Sequence, residues 1–504
     1  MSASTAPEVT QVAAITDEVA AFVTGTRASD IPKNSRGNTS AAHRVARPWA
    51  RGTCAIISST SSATRNAPAS SCSTGTRRKP ASSNASIRCS FIEMTLDHIV
   101  SKAQAAERLS RDEALELYRR APTSVLGRLA DAVGVRKHPD GIVTYIIDRN
   151  VNYTNVCVAK CNFCAFYRPV GSAEGYVLSF DEIFRKIDET MAVGGVQLLL
   201  QGGHNPDLPL TWYEDLFRAI KTRYPTFKLH ALSPPEVIHL SRLSQLPVAT
   251  VIDRLIAAGL DSVPGGGAEI LVDRVRKLLH CYGKATADEW LGVMRDAHAA
   301  GLRTTATMMY GTVETDEERL EHLLRLRALQ DETGGFTAFI TWSYQPDHTE
   351  LAGAEATGID YLRTLATARI VLDNFDNLQA SWVTQGGKVG QLSLAFGAND
   401  MGSVMIEENV VRAAGASYCM DEIEIVRNIE DAGFAAKRRN MHYEILGDPI
   451  FREREVPRML ELATARLAGD TSTPAELRLY PAKSRSGKQE RLQDGRIAEL
   501  QEGE

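Results

Sequence analysis

Nowhere does this sequence approach the ~20 uncharged apolar residues that a membrane-spanning helix needs, so no membrane span is expected. Excess charge is missing too. Its 57 lysines and arginines face 62 aspartates and glutamates, a formal net charge of -5, which gives no electrostatic case for nucleic-acid binding. Cysteine is scarce: of eight in 504 residues three cluster and the rest scatter, a poor disulfide framework that fits a reducing cytoplasm. Acid is absent from one whole stretch. Pro32 to Ile92 holds no Asp or Glu, while eleven serines fall between Ser58 and Ser90. That stretch also lacks hydrophobic periodicity and has too little apolar surface to offset the entropy of ordering it. Residues 1–93 are therefore expected to be a disordered low-complexity extension, or upstream sequence translated ahead of a true start at Met94. The competing reading is a Ser- and Arg-rich transit peptide, which Glu8, Asp17, Glu18 and Asp30 oppose.

What is present begins after Met94. Composition there is that of an ordinary globular protein, with 43% hydrophobic and 24% charged residues over the whole chain. Ser or Thr followed three residues later by Glu occurs at Ser110/Glu113, Ser179/Glu182, Thr211/Glu214, Thr286/Glu289 and Thr315/Glu318. Each pair can satisfy orphan amides at a helix start, and each leads into an amphipathic run. Between the helices lie β-branched or apolar runs: "GIVTYIIDRNV", "VQLLLQGG", "FKLHALS", "LDSVPGG", "LRTTATMMYG", "FTAFITWSY", "LQASWVT" and "LSLAFGAND". About eight strands alternating with helices predict βα units and a parallel sheet. Several runs end in polar or glycine residues, the rim expected at the active end of a TIM-type (β/α) barrel; a doubly wound open sheet is the alternative. The expected organisation is a helical segment at 94–140 packed outside the barrel, the barrel at 141–440, and a C-terminal helical segment with a polar tail at 441–504.

Cys157, Cys161 and Cys164 fall in "NYTNVCVAKCNFCAFYRP", directly after the first strand. Three thiolates can ligate three irons of a [4Fe-4S] cluster and leave the fourth iron open for an exogenous ligand. An open iron can hold the amino and carboxylate groups of S-adenosylmethionine (SAM), whose sulfonium bond then breaks on one-electron reduction. A zinc site would need a distant fourth ligand such as His204 or Cys281, and its usual pattern is paired C-x2-C units. A redox dithiol at Cys161 and Cys164 would leave Cys157 unexplained. The C-x3-C-x2-C spacing after the first strand of a βα barrel reads as a radical SAM enzyme. An iron–sulfur electron carrier and a zinc-stabilised binding barrel are the readings from other classes.

From about Val143 onward the chain resembles the menaquinone-futalosine and deazaflavin-precursor branch of the radical SAM superfamily. The resemblance rests on the cysteine stretch and on "LLLQGGHNPDLP", "LHALSPPEV", "GLDSVPGGGAEIL", "RTTATMMYGTVET", "NLQASWVTQGGKVGQLSLAFGANDMGSVMIEENVVRAAGA" and "AGFAAKRRN". Within the branch, "NYTNVCVAKCNFCAFYR" and "WVTQGGKVGQLSLAFGANDMGS" are in the style of the members that close a ring on dehypoxanthine futalosine. The resemblance implies that substrate, a [4Fe-4S] cluster, SAM, and a low-potential electron donor such as flavodoxin or ferredoxin. It implies hydrogen abstraction at the ribose C4' by the 5'-deoxyadenosyl radical, closure of a carbon–carbon bond onto the benzoate ring, and loss of one electron and one proton. Aminofutalosine synthesis and deazaflavin assembly are the sibling alternatives.

Carried over by position, the resemblance assigns Cys157, Cys161 and Cys164 to the cluster, Phe163 to the adenine, and Gly202 and Gly203 to the methionine end of SAM. His204 stands where many radical SAM proteins have Glu. Ser233 and Glu269 are candidate SAM or ribose partners; their plainer readings are a turn cap and a helix start. The final deprotonation calls for a base, and His230, Asp400 and His204 sit on the expected face. For the substrate carboxylate, Arg303 stands at a strand start, the wrong end of the barrel, whereas the "TQGGK" segment from Thr384 to Lys388 offers polar groups or a flexible glycine loop.

Overall fold

The computed structural model describes residues 95–453; the expected extension at 1–93 and most of the expected C-terminal tail lie outside them. The first predicted strand run divides at Ile147 into β1 (Ile142–Ile146) and β2 (Asp148–Asn152). The division has a topological cause. β1 pairs in parallel with β8 (Asp400–Ser403), while β2 crosses to pair with β3 (Gln197–Gln201), which pairs with β4 (Lys228–Ala231). On the other side, β8 continues through β7 (Asn377–Gln379) and β6 (Phe336–Ser343) to β5 (Thr304–Tyr310), again in parallel.

The "LDSVPGG" run fills the gap between β4 and β5 without forming a full strand. Ser262 bridges to His230, the Ala231 amide donates to the Ser262 carbonyl at 2.9 Å, and the Thr305 amide donates to the Val263 carbonyl at 3.4 Å. Pro264 has no amide to extend the ladder. With this segment in place the walls close, and the expected (β/α) barrel is the fold.

Two other strand expectations shorten. "LQASWVT" is strand only to Gln379, and the helix Trp382–Ser393 then takes up the start of "LSLAFGAND", whose strand is confined to β8. Short apolar runs do not distinguish a strand from a buried helix. Within the helix that forms, a Cβ at Gly390 would fall 2.8 Å from Trp382 Cβ, so nothing larger than glycine fits there. Past β8, β9 (Ala435–Arg439) pairs in parallel with β1, and β10 (Ile445–Gly447) pairs antiparallel with β9.

Four of the five expected capping boxes form, at Ser110, Ser179, Thr286 and Thr315. Thr211 does not cap. Pro209 precedes that helix, which already starts at Leu210, and Glu214 turns to Arg254 at 2.6 Å instead. The helices Leu96–Gln104, Arg111–Arg120 and Thr123–Lys137 lie on the flank of the barrel. The second and third pack against the outer helices Asp316–Thr333 and Gly358–Val371, where Arg363 donates to the Ala121 carbonyl at 2.8 Å and Tyr118 Oη meets Thr364 Oγ1 at 3.2 Å. Among the described residues no helix is long and apolar enough to cross a membrane.

Candidate active site

Strand periodicity sorts the barrel walls into two chemistries. Outward-facing Val151, Leu198, Leu200, Leu229, Ala306 and Phe339 are fully buried beneath the helices. The alternate residues point into the barrel and line a cavity of about 290 Å³: Asp148 and Asn150 from β2, Gln197 and Gln201 from β3, His230 from β4, Thr305 and Thr307 from β5, Trp342 from β6, Gln379 from β7. Barrels that are only scaffolds fill this space with branched apolar side chains. Here amide and hydroxyl side chains stand among apolar ones such as Ile146, Leu199 and Ile340, with Glu269, Glu408 and Arg439 also on the wall, and the space is open to a ligand. Two of its walls carry unmet hydrogen-bonding capacity. Asn150 gives its amide to Glu408 at 2.7 Å and Gln197 gives its amide to Asp148 at 2.7 Å, but neither side-chain carbonyl oxygen has a partner. A buried acceptor left unpaired costs about 1–3 kcal/mol, and as the side chains stand both oxygens are closed off from the cavity.

The cysteine loop leaves the end of β2 and is held from several sides. The Cys157 amide donates to the Arg168 carbonyl at 2.9 Å, the Val158 amide to the His204 carbonyl at 3.1 Å, and Asn162 Nδ2 to the Leu278 carbonyl at 3.0 Å. Gly203 lies directly against the loop; a Cβ there would sit 2.2 Å from the Val156 carbonyl oxygen and 3.0 Å from Cys157 Cβ. All three cysteines are unpaired thiols, with Cys157 and Cys161 buried. Burial pushes the Cys161 thiol well above its ordinary range and raises that of Cys164. Among the described residues no three His, Cys, Asp or Glu side chains converge closely enough to hold a single metal ion. The donor set, three free thiols on one loop, fits a [4Fe-4S] unit, in which each of three irons takes its own thiolate.

The other expected residues fall into three groups. Phe163, Gly203 and Glu269 belong to the surroundings of the cysteine loop. Phe163 has Lys284 Nζ 5.4 Å from its ring centroid, and Glu269, buried and lining the cavity, takes Lys284 at 2.8 Å and Arg276 at 3.2 Å. Gly202 and Ser233 converge on a residue that sequence reasoning did not single out, Glu236. Its carboxylate accepts from the Gly202 amide (3.0 Å), Tyr153 Oη (2.7 Å), and the Ser233 hydroxyl and amide (2.6 and 2.7 Å). Ser233 thus caps the helix Pro234–Ser244, its plainer reading. The signal for Glu236 was in the sequence: it stands three residues after Ser233, as a capping box requires.

The three base candidates separate sharply. Asp400 is fully buried and committed elsewhere: Arg439 binds it through two nitrogens at 2.5 and 2.8 Å, and Thr144 Oγ1 and the Gly402 amide donate at 2.5 and 2.8 Å. It is not part of the cavity wall. His204 is buried behind the cysteine loop and stacks on His239 with ring centroids 5.1 Å apart, again away from the cavity wall. His230 alone of the three lines the cavity. Ser262 donates its hydroxyl to the Arg303 carbonyl at 2.6 Å and so accepts from His230 Nδ1 at 2.8 Å. That network assigns the proton to Nδ1 and leaves the lone pair on Nε2, which has no protein partner and is not sealed from the cavity. Burial, helped by Arg439 and His442, takes the imidazole down to about 3, so it is neutral. A cavity carboxyl was also missed: Glu408 lines the same cavity, accepts from the Val410 and Val411 amides at 2.7 and 3.0 Å, and is raised by burial.

Arg303 precedes β5, at the closed end as expected. The "TQGGK" segment is a kinked helix, with Gly386 at φ 78°, rather than a loose loop. Thr384 lines the cavity and Gln385 donates to Ser343 Oγ at 2.6 Å, whereas Lys388 is exposed.

Comparison with known proteins agrees with this construction. Residues 151–326 match the radical SAM superfamily and residues 333–451 match the CofH/MqnC C-terminal region. A cyclic dehypoxanthine futalosine synthase from Streptomyces coelicolor is 45% identical over 395 residues, 76% of this chain and 98% of the relative. A 5-amino-6-(D-ribitylamino)uracil–L-tyrosine 4-hydroxyphenyl transferase from Methanosarcina acetivorans is 41% identical over 346 residues, 66% of this chain and 90% of the relative. Among solved structures, methylornithine synthase superposes with a TM-score of 0.54 at 16% identity, over 68% of this chain and 97% of that one, a likeness of fold. The chain belongs to the radical SAM superfamily, in the branch that contains the cyclic dehypoxanthine futalosine synthases.

Proposed function

We propose that the protein converts dehypoxanthine futalosine to its cyclic form by hydrogen abstraction at the ribose C4' and closure of a carbon–carbon bond, on the way to menaquinone. The observation that carries this reading is the cavity lined by amide, hydroxyl and aromatic side chains, which shares Glu269 with the surroundings of the cysteine loop. Cys157, Cys161 and Cys164 would hold a [4Fe-4S] cluster, which with SAM supplies the one-electron cleavage that starts the chemistry, reduced by a flavodoxin or ferredoxin.

The chain's own residues do the rest. Asn150, Gln197, Thr305, Thr307 and Gln379 line the cavity and supply neutral polar side chains for sugar hydroxyls. Trp342 and Trp382 offer flat faces to an aromatic ring. Holding ribose and arene together is the main task, because the new bond forms only from a near-attack arrangement. His230 Nε2 takes the ring proton as aromaticity returns; the substrate loses one hydrogen atom at C4' to the 5'-deoxyadenosyl radical, then one proton to His230 and one electron to a one-electron acceptor such as an oxidised flavodoxin or ferredoxin.

Anaerobic incubation of cluster-loaded protein with SAM, dithionite and dehypoxanthine futalosine, read by mass spectrometry, tests the reading. A product lighter than the substrate by two hydrogens, absent from the Cys161→Ala variant, supports it. SAM cleavage without that product moves the substrate to a sibling reaction, and tyrosine or an enolpyruvyl benzoate is then supplied instead. A loaded cluster that never cleaves SAM means an electron carrier.

A further inference from the structure

Lys284 is not part of any motif, yet it stands where the cysteine loop and the cavity meet. Its side chain is 11% exposed, its ammonium lies 5.4 Å from the Phe163 ring centroid, and it donates to Glu269 at 2.8 Å. The segment that carries it is pinned to the cysteine loop, since the Asn162 amide and side chain donate to the Leu279 and Leu278 carbonyls. Glu269 is set for the role by its backbone, a non-glycine residue at φ 40°, a conformation that persists only when the surroundings impose it.

The charge count around Glu269 is unequal. One carboxylate serves two cations, because Arg276, fully buried, also reaches it at 3.2 Å. Arg276 completes its fork on the Ala285, Ala268 and Gly267 carbonyls, which neutralise no charge. A positive charge is therefore left over in a buried place, and buried ions are tolerated when something compensates them. The anion that can do so is the thiolate set of the adjoining loop.

We infer that Lys284 is the counter-charge of the cluster site: its ammonium compensates the cysteine thiolates and favours reduction of the cluster they hold. The inference rests on the assignment of the three cysteines to a cluster. A reduced cluster carries one more negative charge than an oxidised one, so a fixed cation nearby stabilises the reduced state more. Arginine at this position keeps the charge; methionine keeps the length and removes it.

The test is a redox titration of reconstituted protein followed by electron paramagnetic resonance, with iron content measured in parallel. Lys284→Met is expected to carry wild-type iron and a more negative midpoint potential, Lys284→Arg a potential close to wild type, and Glu269→Gln a more positive one. A Lys284→Met protein with full iron and an unchanged potential overturns the inference. If Lys284→Met fails to retain the cluster, Glu269→Gln decides, and no positive shift there overturns it. Cys161→Ala separates the two readings: wild-type iron and spectrum in that variant mean the cluster assignment itself is wrong.

Discussion

Two buried ion clusters flank the barrel interior, and they are balanced differently. At the end reached by β9, Arg439 and Asp400 pair one to one, with Thr144 and the Gly402 amide completing the carboxylate and the Tyr443 ring 3.9 Å from the guanidinium. Beside the cysteine loop, Lys284 and Arg276 share the single carboxylate of Glu269. The first cluster is complete in the protein alone and has the form of a structural joint between β1, β8 and β9. The second becomes complete only with an anionic guest. Equal burial with unequal charge therefore separates a residue that holds the barrel from one that holds a ligand.

Substitutions that break this contrast can be ranked. The largest effect is expected for Cys161→Ala, which removes the anion from the unbalanced side: iron content drops and SAM cleavage falls to background, as metal analysis and assay of 5'-deoxyadenosine would show. Next is Asp400→Asn on the balanced side. It leaves Arg439 buried without its partner, a change that costs about 3–5 kcal/mol, read as a lowered denaturant midpoint. Lys284→Met on the unbalanced side removes a surplus charge, and in cluster-free protein it should shift the midpoint far less. Equal losses in the two variants would mean that both clusters are structural joints.

His230 stands between the two, and its loss is felt in chemistry before stability. Removing a general base costs about 10²-fold or more in rate, so His230→Gln is expected to slow formation of the cyclised product while SAM cleavage continues. The same residue gives a pH dependence. Its folded value of about 3 lies below the ordinary 6.5, so the unfolded chain takes up the proton first as pH falls. The stability that neutral His230 contributes is complete above about pH 6.5 and is lost as pH falls towards about 3. Urea midpoints measured at pH 7 and pH 5 should drop less steeply with acid in His230→Gln.

How much of this was legible follows the same division. The cysteine spacing, the eight walls and four of the caps could be read because local patterns dictate them. Glu236 was legible in principle as the partner of Ser233. The inward polar set was written in the alternation of "DRNVN" and "QLLLQ", where Asp148, Asn150, Gln197 and Gln201 share one face, but alternation alone does not say which face is inside a closed barrel. Asp400 misled because its strand position suited a base, and nothing local reveals that Arg439, 39 residues on, occupies it. Lys284 was silent altogether: its meaning lies in charges brought together from separate parts of the chain.

The smallest effect tests the amide-lined wall of the cavity directly. Asn150 is anchored through its amide to Glu408 while its carbonyl oxygen faces no protein donor. If the side chain turns that oxygen onto a substrate hydroxyl, truncation removes one hydrogen bond of about 1–1.5 kcal/mol and leaves the cluster side untouched. Asn150→Ala should then raise KM about tenfold, with iron content and cluster potential as in the wild type. A changed potential with unchanged KM would place Asn150 on the charged side of the site. Asn150→Asp sharpens the point: it keeps an acceptor but adds a charge beside Glu408, so a larger KM defect than in the alanine variant would show that the cavity selects for neutrality as well as for hydrogen bonds.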